Sequence, residues 1–303
     1  MIEIAVVGGG PAGLTAALYA ARAGRSVTVF EGNSFGGQIT QSPLVENYPG
    51  LANVSGMELG DRMYVQAEQA GATLSFSGVE AIQKSATGTF LLTTEDGIEE
   101  ALSVIYAAGA APRHLELPGE EALVGRGISY CALCDGAFFA NQDVAVAGGG
   151  NTALEDALYL SERCRSVTLI HRRNTFRAES ALVERAKATG NLTMVTQAQI
   201  TALLAQDGNL TGLLLQKQDG ATKTLAVSGL FVAFGRVPDT APLSGLAARD
   251  EQGYVLTDDQ MRTPTPGLFA AGDCRHKQIR QLTTAVSDGT VAAISACRYL
   301  GNR

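Results

Sequence analysis

Short apolar runs alternate with glycine-rich turns and helical stretches along much of this chain. Residues 4–7 form a continuous apolar run typical of a buried strand, residues 14–23 favour a helix, and residues 26–30 form a second strand. Residues 57–70 have an amphipathic helical pattern, and residues 73–106 alternate enough to predict several antiparallel strands. Further strands are predicted within residues 143–147, 229–238 and 267–273, and a final helix is predicted to begin at residues 280–282. This order of elements predicts an α/β fold.

The strand–helix–strand pattern at the start of the chain occurs a second time. A shift of 140 positions lays residues 4–31 onto residues 144–171 without a gap, with Leu18 matching Leu158 and Tyr19 matching Tyr159. In each copy the first strand runs into a glycine-rich turn, at residues 8–13 and 148–153. Such a turn lets a pyrophosphate approach the N terminus of the following helix. The repeat therefore predicts two dinucleotide-binding units.

The two copies differ where their second strands end. The first ends in Glu31, whose carboxylate would accept hydrogen bonds from free ribose hydroxyls and repel a phosphate. The second ends in His171, Arg172 and Arg173, with Arg177 shortly after, and guanidinium groups favour a 2′-phosphate. We therefore expect FAD in the first unit and NADPH in the second. A solvated basic patch at this strand end is the alternative.

A pair of cysteines, Cys131 and Cys134, precedes the second glycine-rich turn. Two cysteines at this spacing can close a disulfide, and the thiolate of such a pair is readily stabilised. Their position between two dinucleotide sites indicates an electron path from nicotinamide through flavin to a disulfide. A zinc site would need further ligands, and the sequence contains neither a second CxxC nor an HxxxH pattern. A static structural disulfide would leave the flanking motifs unexplained.

The overall composition narrows the function classes. With 303 residues, the chain is long enough for two domains, each with its own core. The net charge of −7, with no basic run to offset it, argues against nucleic acid as the main partner. No apolar run approaches the roughly 20 residues of a membrane span, and no signal peptide is expected at the N terminus. Five cysteines, of which only one pair is closely spaced, favour a cytoplasmic protein.

Prolines mark two crossings between the expected domains. Pro112 and Pro118 suggest the first crossing, and Pro238 and Pro242 suggest the second. We therefore predict two Rossmann-like domains of the three-layer, FAD/NAD(P)-binding ββα type, with the NADPH domain inserted into a discontinuous FAD domain. The FAD domain is predicted to comprise residues 1–112 and 246–303, and the NADPH domain residues 113–245.

Together these motifs resemble the low-molecular-weight, bacterial-type thioredoxin reductases over nearly the whole chain. The resemblance is carried by the two glycine-rich turns, Gly36-Gly37-Gln38, residues 46–50, residues 131–136, His171-Arg172-Arg173, residues 176–178, Gly272-Asp273 and Arg280-Gln281. It implies a homodimeric flavoenzyme that passes electrons from NADPH through FAD to thioredoxin. It also implies that Cys134 faces the flavin, that Cys131 attacks the disulfide of thioredoxin, and that Asp135 supplies protons.

The chain departs from this family at a few positions. Ala108 stands where relatives commonly have threonine, and Arg236 and Asp239 replace more usual residues. Related flavoproteins that accept electrons from ferredoxin lack the second glycine-rich turn and the arginine cluster, so NADPH is the favoured donor here. A reductase for another disulfide protein and a non-catalytic flavoprotein remain as alternatives.

The inserted domain is expected to move during turnover. Both the nicotinamide and the disulfide need contact with the flavin, yet both belong to the same predicted domain. We therefore expect this domain to rotate about the linkers at residues 112–118 and 238–242.

The predicted site residues fall into three groups, and no metal is expected. The catalytic residues are Cys131, Cys134 and Asp135. The residues expected to bind FAD are Gly8, Gly10, Pro11, Ala12, Gly13, Glu31, Gly36, Gly37, Gln38, Asn47, Ala108, Gly109, Gly272, Asp273, Arg280, Gln281 and Leu282. The residues expected to bind NADPH are Gly148, Gly150, Asn151, Thr152, Ala153, His171, Arg172, Arg173 and Arg177.

Overall fold

The computed structural model describes residues 1–51 and 53–302, and its chain divides into two units. The first unit comprises Met1–Ala111 and Val237–Arg303, and the second comprises Pro112–Arg236. The strands are β1 (Ile2–Val7), β2 (Val27–Phe30), β3 (Thr73–Ser75), β4 (Val79–Lys84), β5 (Phe90–Thr94), β6 (Gly97–Tyr106), β7 (Ala110–Pro112), β8 (Ile128–Ser129), β9 (Asp143–Gly148), β10 (Ser166–His171), β11 (Leu192–Thr196), β12 (Ala198–Gln206), β13 (Asn209–Lys217), β14 (Thr222–Ala226), β15 (Gly229–Ala233), β16 (Arg236–Pro238) and β17 (Leu268–Ala270). The helices are α1 (Pro11–Arg22), α2 (Gly56–Gln69), α3 (Glu120–Leu123), α4 (Ala132–Asp135), α5 (Asn151–Ser161), α6 (Ser180–Ala188) and α7 (Leu282–Gly301). Among the described residues, no helix has both the length and the apolar character needed to cross a membrane.

A mixed sheet forms the centre of the first unit. Its strand order is β3-β2-β1-β6-β5-β4, and β17 also pairs with β6. Strands β3, β2, β1 and β17 run parallel to β6, whereas β4 and β5 are antiparallel to their neighbours. The several antiparallel strands predicted within residues 73–106 are confirmed by β4, β5 and β6, whereas β3 in the same range pairs in parallel with β2. This strand follows α2, and a helical crossover returns the chain parallel to the strand before it.

Small residues let α1 and α7 pack closely on one face of this sheet. Three buried alanines of α1 and three of α7 belong to one apolar cluster: Ala16, Ala17, Ala20, Ala292, Ala293 and Ala296. A side chain on Gly289 of α7 would collide with the backbone of Ala12. A Cβ on Gly272, which lies in the turn after β17, would come 2.8 Å from the Cβ of Ala12. The N terminus of α1 and the turn before α7 are therefore held together.

The second unit has a parallel sheet and a smaller antiparallel one. The parallel sheet has the order β11-β10-β9-β15-β8, and the antiparallel sheet has the order β12-β13-β14. Buried residues of α5, including Leu154, Ala157 and Leu160, pack against the parallel sheet with Phe231 of β15. These two sheet-and-helix units confirm the predicted α/β class.

The predicted repeat is confirmed at the level of strand register. In the first unit Ile4 lies opposite Val27, and in the second Val144 lies opposite Val167, which are the same positions after the shift. The helices that follow begin alike, because their N-cap glycines have extended backbones with ψ of −175° and −177°.

The second connection between the units lies earlier in the chain than the sequence predicts. Residues 237–245 belong to the first unit, whereas the prediction placed them in the inserted domain. Leu243 is fully buried in the same apolar cluster as Tyr106 and Leu268. In addition, the Tyr106 hydroxyl donates to the carbonyl oxygen of Asp239 at 2.9 Å. Prolines mark a connection, but they do not show which core their neighbours will join.

Candidate active site

A disulfide joins Cys131 and Cys134 in the second unit, with 5.3 Å between their Cα atoms. Cys131 is the N-cap of α4, a single helical turn that ends at Asp135 and is followed by Gly136. The N–H of Cys134 lies 3.2 Å from the sulfur of Cys131, which accepts its hydrogen bond. A backbone N–H donor stabilises the negative charge that develops on a sulfur as it attacks or leaves, so this turn suits Cys131 to disulfide exchange.

Asp135 lies at the end of the same turn and is half-buried. Its Oδ2 accepts a hydrogen bond from the Ser129 hydroxyl at 2.6 Å. Burial raises the pKa of Asp135, and the hydrogen bond from Ser129 acts in the opposite direction. A carboxyl group that holds its proton more strongly than usual, next to a disulfide, is suited to proton transfer.

The second glycine-rich turn is built around the ring of His171. A side chain on Gly149 would collide with this ring, which is buried and stacks on Phe176 at 5.1 Å between centroids. Burial also lowers the pKa of His171. The sequence groups His171 with Arg172 and Arg173 as residues expected to bind NADPH, and the structure separates buried, neutral His171 from the two exposed arginines that follow it.

The arginines surround the end of β10. The backbone N–H of Arg177 donates to the carbonyl oxygen of Gly149 at 2.8 Å, so the loop folds back onto the glycine-rich turn. Arg172 and Arg173 line a cavity of about 300 Å³ together with Lys217 and several glutamines. This polar recess of the second unit therefore contains three exposed cations, Arg172, Arg173 and Lys217, as the binding of an anionic group would require.

The start of α5 accounts for the other residues expected to bind NADPH. A Cβ on Gly150 would meet no atom within 4 Å, so the space above the helix N terminus is open. Gly148 and Ala153 are buried beside it, and Thr152 is exposed. Asn151 exchanges two hydrogen bonds with Glu179, at 3.0 and 2.9 Å, so its side chain also orders the loop before α6.

The first glycine-rich turn, in the first unit, has the same open side. A Cβ on Gly10 would meet only the Cα of Gly37, at 3.9 Å, and α1 begins at Pro11 without a side-chain cap. The first N–H groups of such a helix are available to an anion. Glu31, at the end of β2, accepts the N–H of Gly9 at 2.7 Å.

Two other loops of the first unit approach this turn. Gly36 and Gly37 have φ of 95° and 63°, which favour glycine, and the Gly36 N–H donates to Gly9 at 2.8 Å. The Gln38 side chain donates to the carbonyl oxygen of Ala110 at 2.7 Å. It also lies 3.9 Å from the Cβ that a residue at position 109 would carry. That distance is an ordinary contact, so glycine at position 109 is favoured by its φ of 74° and not by the space that Gln38 needs.

Residues 107 and 108, which precede β7, pack against the backbone of the first glycine-rich turn. A Cβ on Gly8 would lie 2.5 Å from the Ala107 carbonyl oxygen and 2.9 Å from the Cα of Ala108. Gly8 is therefore needed for close packing against the backbone of Ala107 and Ala108.

Asp273 follows Gly272 in the turn next to Ala12. Its Oδ1 is buried and accepts no hydrogen bond, although Lys277 Nζ is an ion-pair neighbour at 3.4 Å. A buried oxygen in this position is suited to accept a hydroxyl of a bound sugar or ribityl chain. Lys277 is only 9% exposed in its side chain, and it also contacts Asp288 at 3.0 Å.

Asp288 of α7 organises this turn. Its Oδ2 accepts hydrogen bonds from the Gly272 N–H, from Arg275 Nε and from Lys277 Nζ, at 3.1, 3.1 and 3.0 Å. No short sequence motif points to Ser129, Lys277 or Asp288, because these residues meet their partners only through the fold. The only signal for Ser129 was its position two residues before Cys131.

The residues at the start of α7 have defined structural roles. The Arg280 guanidinium lies 4.1 Å from the centre of the Tyr254 ring, and its Nε points toward the Asp273 carbonyl oxygen at 3.4 Å. Gln281 caps α7 by a reciprocal pair of hydrogen bonds with Thr284. Leu282 packs against the apolar cluster of the loop that carries Asn47.

Each unit thus fits a dinucleotide. In the first, an open helix N terminus lies beside a buried carboxylate oxygen that accepts no hydrogen bond, as the pyrophosphate and sugar hydroxyls of FAD require. In the second, an open helix N terminus lies in the same fold as three exposed arginines, as NADPH requires.

Known proteins match the chain over nearly its full length. The family model described as pyridine nucleotide-disulphide oxidoreductase matches residues 2–289. A bifunctional thioredoxin reductase/thioredoxin from Mycobacterium leprae is 44% identical over 98% of this chain, which spans 66% of that protein. A thioredoxin reductase from Mycolicibacterium smegmatis is 43% identical over 99% of this chain and 97% of its own length. The crystal structure of a thioredoxin reductase from Streptococcus pyogenes superposes with a TM-score of 0.96, at 40% identity, over 100% of this chain and 99% of its own.

Proposed function

This chain belongs to the pyridine nucleotide-disulphide oxidoreductase family, and we propose that it is a thioredoxin-disulfide reductase that uses NADPH and FAD. The observation that carries the proposal is the disulfide between Cys131 and Cys134, which lies in the same unit as the second dinucleotide fold. When bound, FAD and NADPH supply the hydride and two-electron chemistry that reduces this disulfide.

The residues around each nucleotide would bind and orient it. In the first unit, the N terminus of α1 would face the pyrophosphate, and Glu31 and Asp273 would accept sugar or ribityl hydroxyls. In the second unit, α5 would face the pyrophosphate, and Arg172, Arg173 and Arg177 would bind the 2′-phosphate. The neutral ring of His171 would hold the Gly149 turn in place.

The reduced cysteines then act on thioredoxin in two exchange steps. The Cys131 thiolate attacks one sulfur of the thioredoxin disulfide, which forms a mixed disulfide and releases the other thioredoxin sulfur as a thiolate. The Cys134 thiolate next attacks the Cys131 sulfur, which restores the Cys131–Cys134 disulfide and releases the second thioredoxin thiolate. Two electrons pass to thioredoxin, and each released thiolate takes up one proton. The hydrogen bond from the Cys134 N–H supports Cys131 as the attacking sulfur.

Paired cysteine variants test this order of attack. Reduced Cys134→Ser keeps the attacking sulfur, so it should form a stable covalent complex, seen on a non-reducing gel, with a thioredoxin variant that lacks its second cysteine and carries a small aromatic thiol as a mixed disulfide on the first. The matched Cys131→Ser variant should trap none. Trapping by Cys131→Ser alone would reverse the two roles.

A donor comparison tests the electron source. The FAD-loaded enzyme is mixed anaerobically with NADPH, NADH or reduced ferredoxin, and flavin absorbance is followed in a rapid-mixing instrument. NADPH should bleach the flavin much faster than NADH at equal concentration. Bleaching by ferredoxin but not by NADPH would instead identify a ferredoxin-dependent reductase. Subsequent mixing with oxidised thioredoxin should restore the absorbance, and failure to do so would point to another disulfide partner.

We also propose that the enzyme works as a homodimer in the cytoplasm and that the second unit rotates during turnover, as the resemblance implies. Light scattering during size-exclusion chromatography measures the oligomeric state. A mass equal to that of one chain, at micromolar concentration, would contradict the dimer.

A further inference from the structure

Ser129 contacts both ends of the dithiol motif from the strand directly before it. It is the last residue of β8 and is only 4% exposed. Its Oγ lies 2.6 Å from Asp135 Oδ2 and accepts the Cys131 N–H at 3.1 Å. The same Oγ lies 3.3 Å from the carbonyl oxygen of Cys131. The hydroxyl therefore lies between the carboxyl group and the backbone of the attacking cysteine.

These distances let the hydroxyl satisfy Asp135 in both of its protonation states. When the carboxylate is ionised, Ser129 donates to it and accepts from the Cys131 N–H. When the carboxyl group is protonated, it donates to Ser129, whose hydrogen turns to the Cys131 carbonyl oxygen. A hydroxyl has one hydrogen and two lone pairs, so each arrangement leaves no donor without an acceptor. Because an unsatisfied buried polar group is costly, loss of the hydroxyl would penalise the ionised state most.

We propose that Ser129 is a positioning residue for proton transfer, which lets Asp135 release and recover a proton in each cycle of the Cys131–Cys134 pair. The proposal rests on the proposed reductase function. Reduction breaks the S–S bond with two electrons and one proton that come from the hydride of NADPH through FAD, and Asp135 gives the second proton, so both sulfurs become thiols. On reoxidation the Cys131 thiol returns a proton to the Asp135 carboxylate as it becomes the attacking thiolate. The Cys134 thiol and solvent each give one proton to the two thioredoxin thiolates, and Ser129 forms no bond to sulfur.

A carboxyl titration tests the proposal without any turnover. The full-length, FAD-loaded, oxidised protein is labelled with ¹³C at its aspartate carboxyl carbons, and Asp135→Asn identifies the Asp135 signal. Ser129→Ala should raise the midpoint of that signal by about one pH unit, because a hydrogen bond to a charged carboxylate is lost. Ser129→Thr keeps the hydroxyl and should restore the wild-type midpoint. An unchanged midpoint in Ser129→Ala overturns the proposal.

A matched control comes from a second serine–aspartate pair in the same unit. Ser166 donates to Asp143 Oδ1 at 2.7 Å, at the start of β9 and β10. Ser166→Ala removes a similar hydrogen bond and should leave the Asp135 midpoint where it is. An equal shift in this control would show that Ser129→Ala acts through the stability of the unit, which also overturns the proposal.

The pH profile of kcat for thioredoxin reduction connects the hydroxyl to catalysis. Activity should fall as Asp135 loses its proton, so Ser129→Ala should move the basic limb to higher pH by the shift seen in the titration. In an Asp135→Asn background, Ser129→Ala should not shift the basic limb of the pH profile. A basic limb that stays in place, in a variant with ordinary turnover, overturns the proposal. Absence of turnover in the wild-type protein would instead contradict the reductase function itself.

Discussion

Substitution of Asp288 by asparagine tests how the first unit holds the turn that carries Asp273. Asp288 is 6% exposed, and its carboxylate receives hydrogen bonds from Gly272, Arg275 and Lys277. Asparagine has nearly the same shape, and its carbonyl oxygen can take the place of Oδ2, but it carries no charge to neutralise Arg275 and Lys277. The buried Lys277 would keep its ion-pair neighbour Asp273 and the Thr284 hydroxyl, each at 3.4 Å.

Removal of one partner from a buried ion pair costs about 3–5 kcal/mol. The asparagine carbonyl oxygen can still accept hydrogen bonds from these donors, so we expect a loss near the lower end, about 3 kcal/mol in the free energy of unfolding. A domain of 150–250 residues loses about 2–4 °C in Tm for each kcal/mol, so the melting temperature of the first unit should fall by roughly 6–12 °C. Lys277 would draw the Asp273 carboxylate away from a bound sugar chain, so FAD should also dissociate at least tenfold faster.

Two measurements check this expectation. Thermal unfolding is followed for the FAD-free and FAD-loaded forms, and FAD release is followed by the rise of flavin fluorescence. Asp61→Asn, on the exposed surface of α2, is the matched control and should change stability by less than about 0.5 kcal/mol. A stability of Asp288→Asn within about 1 kcal/mol of the wild type would refute the reasoning. The hydrogen bonds to the Asp288 carboxylate would then be dispensable for the stability of the turn that carries Asp273.

Four other substitutions test the second unit. Arg172→Ala and Arg173→Ala should each raise KM for NADPH about tenfold while KM for NADH changes little, since each removes a charge-assisted bond to the 2′-phosphate; equal losses in steady-state assays would contradict the assignment. Gly149→Ala places a methyl group against the His171 ring, so urea denaturation should show that the free energy of unfolding falls by about 1–3 kcal/mol. An unchanged free energy of unfolding would mean that the ring can move. Burial raises the pKa of Asp156 to about 7, so the folded state resists an ionisation that the unfolded chain undergoes above about pH 4. The unfolding free energy of Asp156→Asn should therefore equal that of the wild type near pH 4 and exceed it by about 1 kcal/mol or more above pH 7. A difference that does not depend on pH would contradict this.

The residues of local motifs were predictable because their roles depend on near neighbours in the chain. The repeat of residues 4–31 at 144–171 predicted two strand–helix–strand units, and the register of Ile4 and Val144 confirms it. The pairing of Cys131 with Cys134 also follows from spacing alone. Similarly, the start of α7 at Leu282 lies within the predicted range.

Other features depend on packing between distant segments. His171 belongs to a basic run in the sequence, but burial against Gly149 keeps its ring neutral. Residues 237–245 follow the inserted unit in sequence, but the burial of Leu243 assigns them to the first unit.

The opening strand–helix–strand unit, its repeat and the CxxC pair were therefore determined by the sequence itself, since hydrophobic period, glycine and charge act over a few residues. The tertiary structure alone decided that Ser129 would meet Asp135 and that Asp288 would meet Lys277. Neither pair has a periodic pattern, because hydrogen bonds between side chains require only that the fold bring their atoms within about 3 Å. The proposed chemistry of this protein needs both the local motifs, which can be predicted from the sequence, and the contacts between distant residues, which only the folded structure shows.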